Sequence, residues 1–131
     1  MTTLHHYFSR LEDTLLTRHE IEVESISVQQ NYPDIGQGSF QAQVSFFDKS
    51  SLVASEDVML NDSEIIKEEY SYHYQKSDTS LIFRYDNAPH HPEIETFPHH
   101  KHVGSDENVI AAQPPDLSEV LNEIDEIIYT D

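Results

Sequence analysis

The residues of this chain that could carry chemistry are concentrated between Arg84 and His102. The chain has nine histidines in 131 residues, and five of them lie between positions 90 and 102. Arg84 and Lys101 stand against three carboxylates in this stretch, so its formal charge is −1, whereas the whole chain carries −18. Protonation of some of the imidazoles makes the stretch locally positive. If the chain binds a phosphate backbone, we expect it to bind here.

The first interpretation of this stretch is acid–base catalysis on a phosphodiester by two of the histidines. Imidazole titrates near neutral pH, and the 2′-hydroxyl of RNA supplies a nucleophile, so a metal-independent ribonuclease needs such a pair and a cation. Arg84 or Lys101 would stabilise the extra negative charge that develops on the phosphate.

Two other interpretations remain open. In one, His100 and His102 point the same way on an extended segment and bind a divalent transition metal together with His90 and Asp86. Imidazole suits zinc, nickel or copper, and a carboxylate is a normal further ligand. In the other, the histidines are polar residues of a proline-stiffened loop that forms a protein interface.

The charge of the chain limits its partners. Twenty-five acidic residues against seven basic ones give a pI near 4.6. Such a field repels nucleic acid and anionic lipid and favours basic partners. Its cause is adaptation to salt, binding of a basic partner, or imitation of DNA. The last two would make the chain a non-catalytic acidic binding protein.

The sequence also indicates where the protein works. The chain contains no cysteine, which excludes disulfides and thiolate chemistry and fits a reducing compartment. The first residues lack the basic and apolar regions of a secretory signal, and the apolar runs are far shorter than the roughly 20 residues that span a bilayer. We expect a cytoplasmic protein without membrane contact, which could form a homodimer.

The elements that must position these residues are predicted from periodicity. Leu4, Phe8, Leu11 and Leu15 recur at helical spacing, with Thr2 or Thr3 as the cap. Alternating residues then predict about five strands, at 19–30, 40–46, 52–60, 70–74 and 81–86. A bulge is expected near Ser25, because the alternation slips there by one residue.

The chain after these strands is predicted to be a loop followed by a helix. Residues 31–38 form an earlier turn, and residues 86–106 form the long loop rich in histidine and proline. Asp116 and Glu119 have the spacing of a capping box for an acidic amphipathic helix at 116–129. The prediction is one α+β domain over residues 1–131. Its antiparallel meander carries the N-terminal and the C-terminal helix on one face.

The stretch from Arg84 to His102 resembles the TumE-like toxins of prokaryotic toxin–antitoxin modules. The resemblance is dense over about twenty residues, and Ser55 with Glu56 and the closing acidic helix add to it more loosely. The residues that carry the pattern are Arg84, Asp86, Asn87, His90, Pro92, Phe97, Pro98, His99, His100 and His102.

The resemblance implies a toxin whose partner is an antitoxin of the helix-turn-helix type, with RNA as the substrate by analogy with other small toxins. It favours His90 as one member of an acid–base pair and His99, His100 or His102 as the other. It leaves out His91 and His73. In the resulting hypothesis, Arg84 contacts the phosphate and Lys101 a flanking phosphate, while Asp86 and Asn87 orient the imidazoles or cap the loop. Although His73 is outside the pattern, its place on the neighbouring strand directs it toward Arg84.

Overall fold

The computed structural model describes residues 3–31 and 36–129, in which two helices accompany a seven-stranded antiparallel sheet. Each strand pairs with the next along the chain, so the sheet is a meander. The elements are α1 (Leu4–Leu16), β1 (Ile21–Asn31), β2 (Gln37–Phe46), β3 (Ser51–Asn61), β4 (Glu64–Gln75), β5 (Leu81–Asp86), β6 (His100–Val103), β7 (Val109–Ala111) and α2 (Leu117–Tyr129).

The predicted α+β meander with a helix at each end is confirmed, with seven described strands instead of about five. The pairing of β1 with β2 shifts register between Val23 and Ser25, where the sequence predicts a bulge. Thr3 caps α1, since its hydroxyl accepts a hydrogen bond from the His6 amide at 3.1 Å. Thr2 and residues 32–35 of the predicted turn lie outside the described residues.

Both helices pack on one face of the sheet, which we call the inner face. Alternate residues of each strand point to that face because side chains in a strand alternate between its two sides. The helices contribute one buried stripe each, and the strands supply the rest of the core. The buried side chains of the helices are Leu4, Phe8, Leu11, Leu15, Leu117, Val120, Leu121 and Ile124.

Ion pairs also attach α2 to the rest of the inner face. Arg18 follows α1 and places its NH1 nitrogen 2.8 Å from Asp125 of α2. Lys101 of β6 places its Nζ 2.6 Å from Glu123 of α2. The helices cover the inner face. The opposite side of the sheet, the outer face, carries mostly polar strand residues, among them Gln41, Gln43 and Ser55.

The stretch 86–106, which the sequence predicts to be a loop, contains β6 in its second half. Residues His100, Lys101, His102 and Val103 do not alternate between apolar and polar, so hydrophobic patterning does not predict this strand. His100 and His102 are nevertheless buried. The non-strand parts of the predicted loop are therefore residues 87–99, which connect β5 to β6, and residues 104–106, which follow β6.

Asp116 and Glu119 form the predicted capping box at the start of α2. The Asp116 carboxylate accepts a hydrogen bond from the Glu119 amide at 2.8 Å, and the Asp116 amide donates to the Glu119 carboxylate at 3.1 Å. Burial acts to raise the pKa of Asp116. Hydrogen bonds from Glu119 and Ser118 outweigh burial and hold the pKa below its ordinary value of 3.8.

We predict that Asp116→Ala lowers the free energy of unfolding by about 1 kcal/mol at pH 7, because the cap is lost. A carboxyl group whose pKa is depressed by folding stabilises the fold above its unfolded pKa and loses this effect as pH falls through its folded pKa. The deficit of Asp116→Ala should therefore shrink in acid. Urea unfolding at several pH values measures it, with Asp116→Asn as the control that keeps a cap without titrating. A deficit that is the same at pH 7 and pH 2 would contradict this prediction.

Candidate functional site

The strand pair β5–β6 brings four of the predicted site residues together on the outer face. Asp86 lies opposite His100 in the ladder, and Arg84 lies opposite His102. Residues directly opposite one another have neighbouring side chains on the same face. Lys101, between the two histidines, points to the inner face.

Asp86 is the centre of this group. It is 6% exposed, and each of its carboxylate oxygens has two neighbours. One oxygen, Oδ1, accepts a hydrogen bond from the Ala88 amide at 3.0 Å and lies 3.0 Å from the Nε2 atom of His100. The other, Oδ2, accepts from the Nε atom of Arg84 at 3.0 Å and lies 3.5 Å from the Nε2 atom of His102. One carboxylate thus holds a guanidinium and two imidazoles.

The Nδ1 atoms of both histidines face backbone carbonyls. The Nδ1 atom of His100 lies 2.9 Å from the oxygen of Pro98, and that of His102 lies 2.9 Å from the oxygen of Asp106. A carbonyl only accepts hydrogen bonds, so each Nδ1 must carry its proton. In the neutral ring, Nε2 then presents a lone pair to Asp86. The contacts are satisfied only if a second proton or another cation lies between each Nε2 and the carboxylate.

His91 adds a third imidazole to this cluster. Its ring centre lies 4.9 Å from that of His100 and 5.8 Å from that of His102, and ring nitrogens of the three histidines lie within 4.8 Å of one another. The metal hypothesis names His90 as the ligand beside His100 and His102, whereas the structure places His91 beside them. The family pattern omits His91, and its fold-back onto β6 is a tertiary contact that spacing does not indicate.

A polar cavity of about 400 Å³ opens on the outer face beside the cluster. Its lining includes Arg84, Asp86 and the exposed His90. It also includes the carboxylates of Asp57 on β3 and Glu69 on β4, which lie opposite each other in the ladder. Arg84 is therefore the one permanently charged cation among the described lining residues, which otherwise carry three carboxylates.

Arg84 is oriented from two sides. In addition to its hydrogen bond to Asp86, its NH1 nitrogen lies 3.3 Å from the Nδ1 atom of His73 on β4. This contact confirms that His73 faces Arg84. The Arg84 side chain is 36% exposed, so the guanidinium is fixed and also accessible from the cavity.

His99 and Lys101 lie away from this cluster. Lys101 pairs with Glu123 and lies over the ring of Tyr85, 4.9 Å from its centre. His99 stacks on Tyr70, and its Nδ1 atom lies 3.0 Å from the Tyr70 hydroxyl. Burial, followed by the charge of His100, lowers the pKa of His99. The structure therefore does not bring these two predicted site residues to the cavity that Arg84 lines.

Asn87 attaches the start of the connecting segment to β4. Its side-chain oxygen accepts a hydrogen bond from the Tyr70 amide at 3.1 Å, and its side-chain nitrogen donates to the Glu68 carbonyl at 2.8 Å. Asn87 also lines the cavity. It fixes the position at which the chain leaves β5, immediately after Asp86.

A second polar group, on the inner face, is not predicted as a site from the sequence. Glu56 is 1% exposed and accepts hydrogen bonds from the hydroxyls of Tyr7 and Tyr72, with Lys67 3.6 Å away. Burial, together with the charge of Glu56, raises the pKa of both tyrosines. The sequence does contain an indication of this group: Glu56 occupies an inward-facing position of a strand, between Ala54 and Val58. Its contacts join α1 to β3 and β4.

Comparison with known proteins identifies the class of this chain as a toxin. The model of the family Toxin TumE matches residues 11–128, which cover most of the chain. The chain therefore belongs to the TumE toxin family, and membership of a toxin family implies a cognate antitoxin. No curated protein and no solved structure matches it. The described residues contain no helix of the length and apolar character needed to cross a membrane.

We predict that Asp86→Ala lowers the free energy of unfolding by about 2–3 kcal/mol, because it leaves Arg84 without its acceptor and removes the carboxylate against which two buried imidazoles lie. The matched control is Asp57→Ala, which removes an exposed carboxylate from the same cavity and should change stability by less than about 0.5 kcal/mol. Urea unfolding of both variants at pH 7 measures the difference. Equal stabilities would show that Asp86 is not the organising residue.

Proposed function

We propose that this TumE toxin is a small ribonuclease that cleaves phosphodiester bonds of RNA in the cytoplasm, at the cavity beside Arg84. The observation that carries the proposal is the guanidinium of Arg84, which a buried carboxylate orients at 3.0 Å while the side chain stays 36% exposed to a polar cavity. A guanidinium held in this way is suited to bind phosphate oxygens in pairs.

The reaction that fits these groups is transesterification by the 2′-hydroxyl. The 2′-oxygen attacks phosphorus, and its proton passes to His90 at the rim of the cavity. The bond from phosphorus to the 5′-oxygen breaks, and that oxygen takes a proton from water. The hydroxide that remains takes the proton back from His90. The products are a 2′,3′-cyclic phosphate and a 5′-hydroxyl. Arg84 stabilises the additional negative charge of the transition state.

The buried histidines have a different role in this proposal. His100 has a side chain that is 3% exposed, and His102 one that is 11% exposed, so Asp86 rather than substrate occupies their Nε2 atoms. They position Asp86 and through it Arg84. Of the predicted acid–base pair, this proposal keeps His90, which takes the proton of the 2′-hydroxyl.

The outer face also offers a path for the RNA chain. A second cavity, of about 220 Å³, adjoins the first and shares Ser55 and Asp57 with it. Its side chains are mainly uncharged, and serine and glutamine can exchange hydrogen bonds with ribose hydroxyls and base edges. The polar residues of this path are Ser27, Gln29, Ser39, Gln41, Ser55 and Asp57.

The antitoxin that the family implies is proposed to be a helix-turn-helix protein. Such proteins carry basic surfaces for DNA, and a chain with a formal charge of −18 attracts a basic partner. The acidity of the chain therefore serves binding of the antitoxin, while RNA depends on the local positive charge of Arg84.

We predict that Arg84→Ala lowers the rate of RNA cleavage about 100-fold or more, because the charge that develops on the phosphate loses its donor. Arg84→Lys should retain part of the rate, since it keeps the charge and loses the paired hydrogen bonds. The measurement is cleavage of a labelled single-stranded RNA by purified protein. Lys76→Ala is the matched control, because it removes the same charge from an exposed turn.

Circular dichroism must show that the Arg84 variants are folded, since Arg84 also contacts Asp86. Folded Arg84→Ala that cleaves RNA at the rate of the unsubstituted protein would refute this site. Loss of cleavage in Lys76→Ala to the same extent would show a general effect of net charge instead.

A further inference from the structure

We propose that the imidazoles of His91, His100 and His102, together with the carboxylate of Asp86, bind a divalent transition metal ion, with Zn²⁺ as the best fit. The proposal starts from their convergence, because ring nitrogens of the three histidines lie within 4.8 Å of one another. Asp86 lies 3.0 Å from the Nε2 atom of His100 and 3.5 Å from that of His102.

The backbone prepares two of the histidines for coordination. A metal-bound histidine commonly donates its other ring N–H to a carbonyl or carboxylate, which fixes the ring and exposes the lone pair of the ligating nitrogen. The carbonyls of Pro98 and Asp106 do this for His100 and His102 at 2.9 Å. Arg84 and the Ala88 amide orient the carboxylate of Asp86 at 3.0 Å in the same way.

The two contacts of Asp86 are close to the edge length of a coordination tetrahedron, whereas the ring nitrogens of the three histidines, within 4.8 Å of one another, would draw together around a metal ion. Zinc bonds to nitrogen and oxygen are about 2.0–2.1 Å long, so two ligand atoms on a tetrahedral edge are about 3.3 Å apart. The Nε2 atom of His100 lies 3.0 Å from Oδ1 of Asp86, and that of His102 lies 3.5 Å from Oδ2, so each imidazole is about one such edge from its own carboxylate oxygen. His91 is the adjustable ligand, since it belongs to the connecting segment and its side chain is 28% exposed.

One metal ion accounts for the convergence of three imidazoles beside a buried carboxylate. The Nδ1 atom of His91 also lies 3.4 Å from Glu93 in the connecting segment. A shared cation uses all the lone pairs at once. Three imidazoles and a carboxylate suit zinc and its neighbours, whereas magnesium and calcium prefer oxygen ligands.

The metal would also supply positive charge that the cavity needs. Asp57, Glu69 and Asp86 surround Arg84, so a divalent ion bound next to it would offset these carboxylates for an incoming phosphate. This last step rests on the proposed function, whereas binding of the metal does not.

The test is metal binding by the full chain, purified without a histidine tag. Elemental analysis should find about one zinc per chain, and after removal with chelator the protein should take up Zn²⁺ again in calorimetry. Co²⁺ in the same site should give the visible absorption of tetrahedral coordination. His91→Gln and His100→Gln should weaken Zn²⁺ binding by about 100-fold. His90→Gln is the matched control beside His91 and should leave binding unchanged.

His91→Gln keeps the test valid if His100→Gln does not fold, because His91 is partly exposed. Absence of stoichiometric Zn²⁺ or Co²⁺ binding to the folded chain would overturn the proposal, as would equal weakening by His90→Gln and His91→Gln. The ribonuclease proposal is judged separately. Metal binding without RNA cleavage would reject the ribonuclease alone, and RNA cleavage by metal-free protein in chelator would reject a metal needed for it.

Discussion

The buried carboxylate of Asp86 is the interaction on which the site depends. It accepts a hydrogen bond from Arg84 on its own strand and lies against the Nε2 atom of His100 on the next strand, and it reaches these groups because β5 and β6 are in register. A buried carboxylate is costly unless it is fully paired. Asp86 meets this condition with the Ala88 amide and His102 as further neighbours. The pairing of β5 with β6 therefore depends on the charged and polar side chains that surround Asp86.

The distribution of the few cations explains how a very acidic chain can have a phosphate site. Three of the seven basic residues pair with carboxylates on the inner face: Arg18 joins the end of α1 to α2, Lys67 joins β4 to β3, and Lys101 joins β6 to α2. Arg84 alone among the described cavity-lining residues brings a permanent positive charge to the outer face. The inner and outer faces of the sheet thus have different roles. The inner face stabilises the fold, and the outer face presents polar groups to a ligand.

Apolar periodicity is enough to predict both helices, the first strands and the bulge at Ser25, because each of these elements buries one face of its own. It misses β6, whose buried positions are His100 and His102, since hydrogen bonds and charge rather than apolar area stabilise them. The contact of Asp86 with His100 depends on the pairing of β5 with β6, so periodicity does not predict it. The sequence also could not show that His91 rather than His90 joins the cluster, because this depends on the path of residues 87–99.

The most direct test of this account is the protonation of the His100 and His102 rings, observed by long-range ¹H–¹⁵N correlation spectra of the folded protein. We expect Nδ1 to carry a proton in both rings, donated to the carbonyls of Pro98 and Asp106. We also expect Nε2 to be the nitrogen whose signal shifts when Zn²⁺ is added. Neutral rings with the proton on Nε2 and a bare Nδ1 would contradict this account, because Asp86 would then be an ordinary acceptor and the cluster would have no place for a cation.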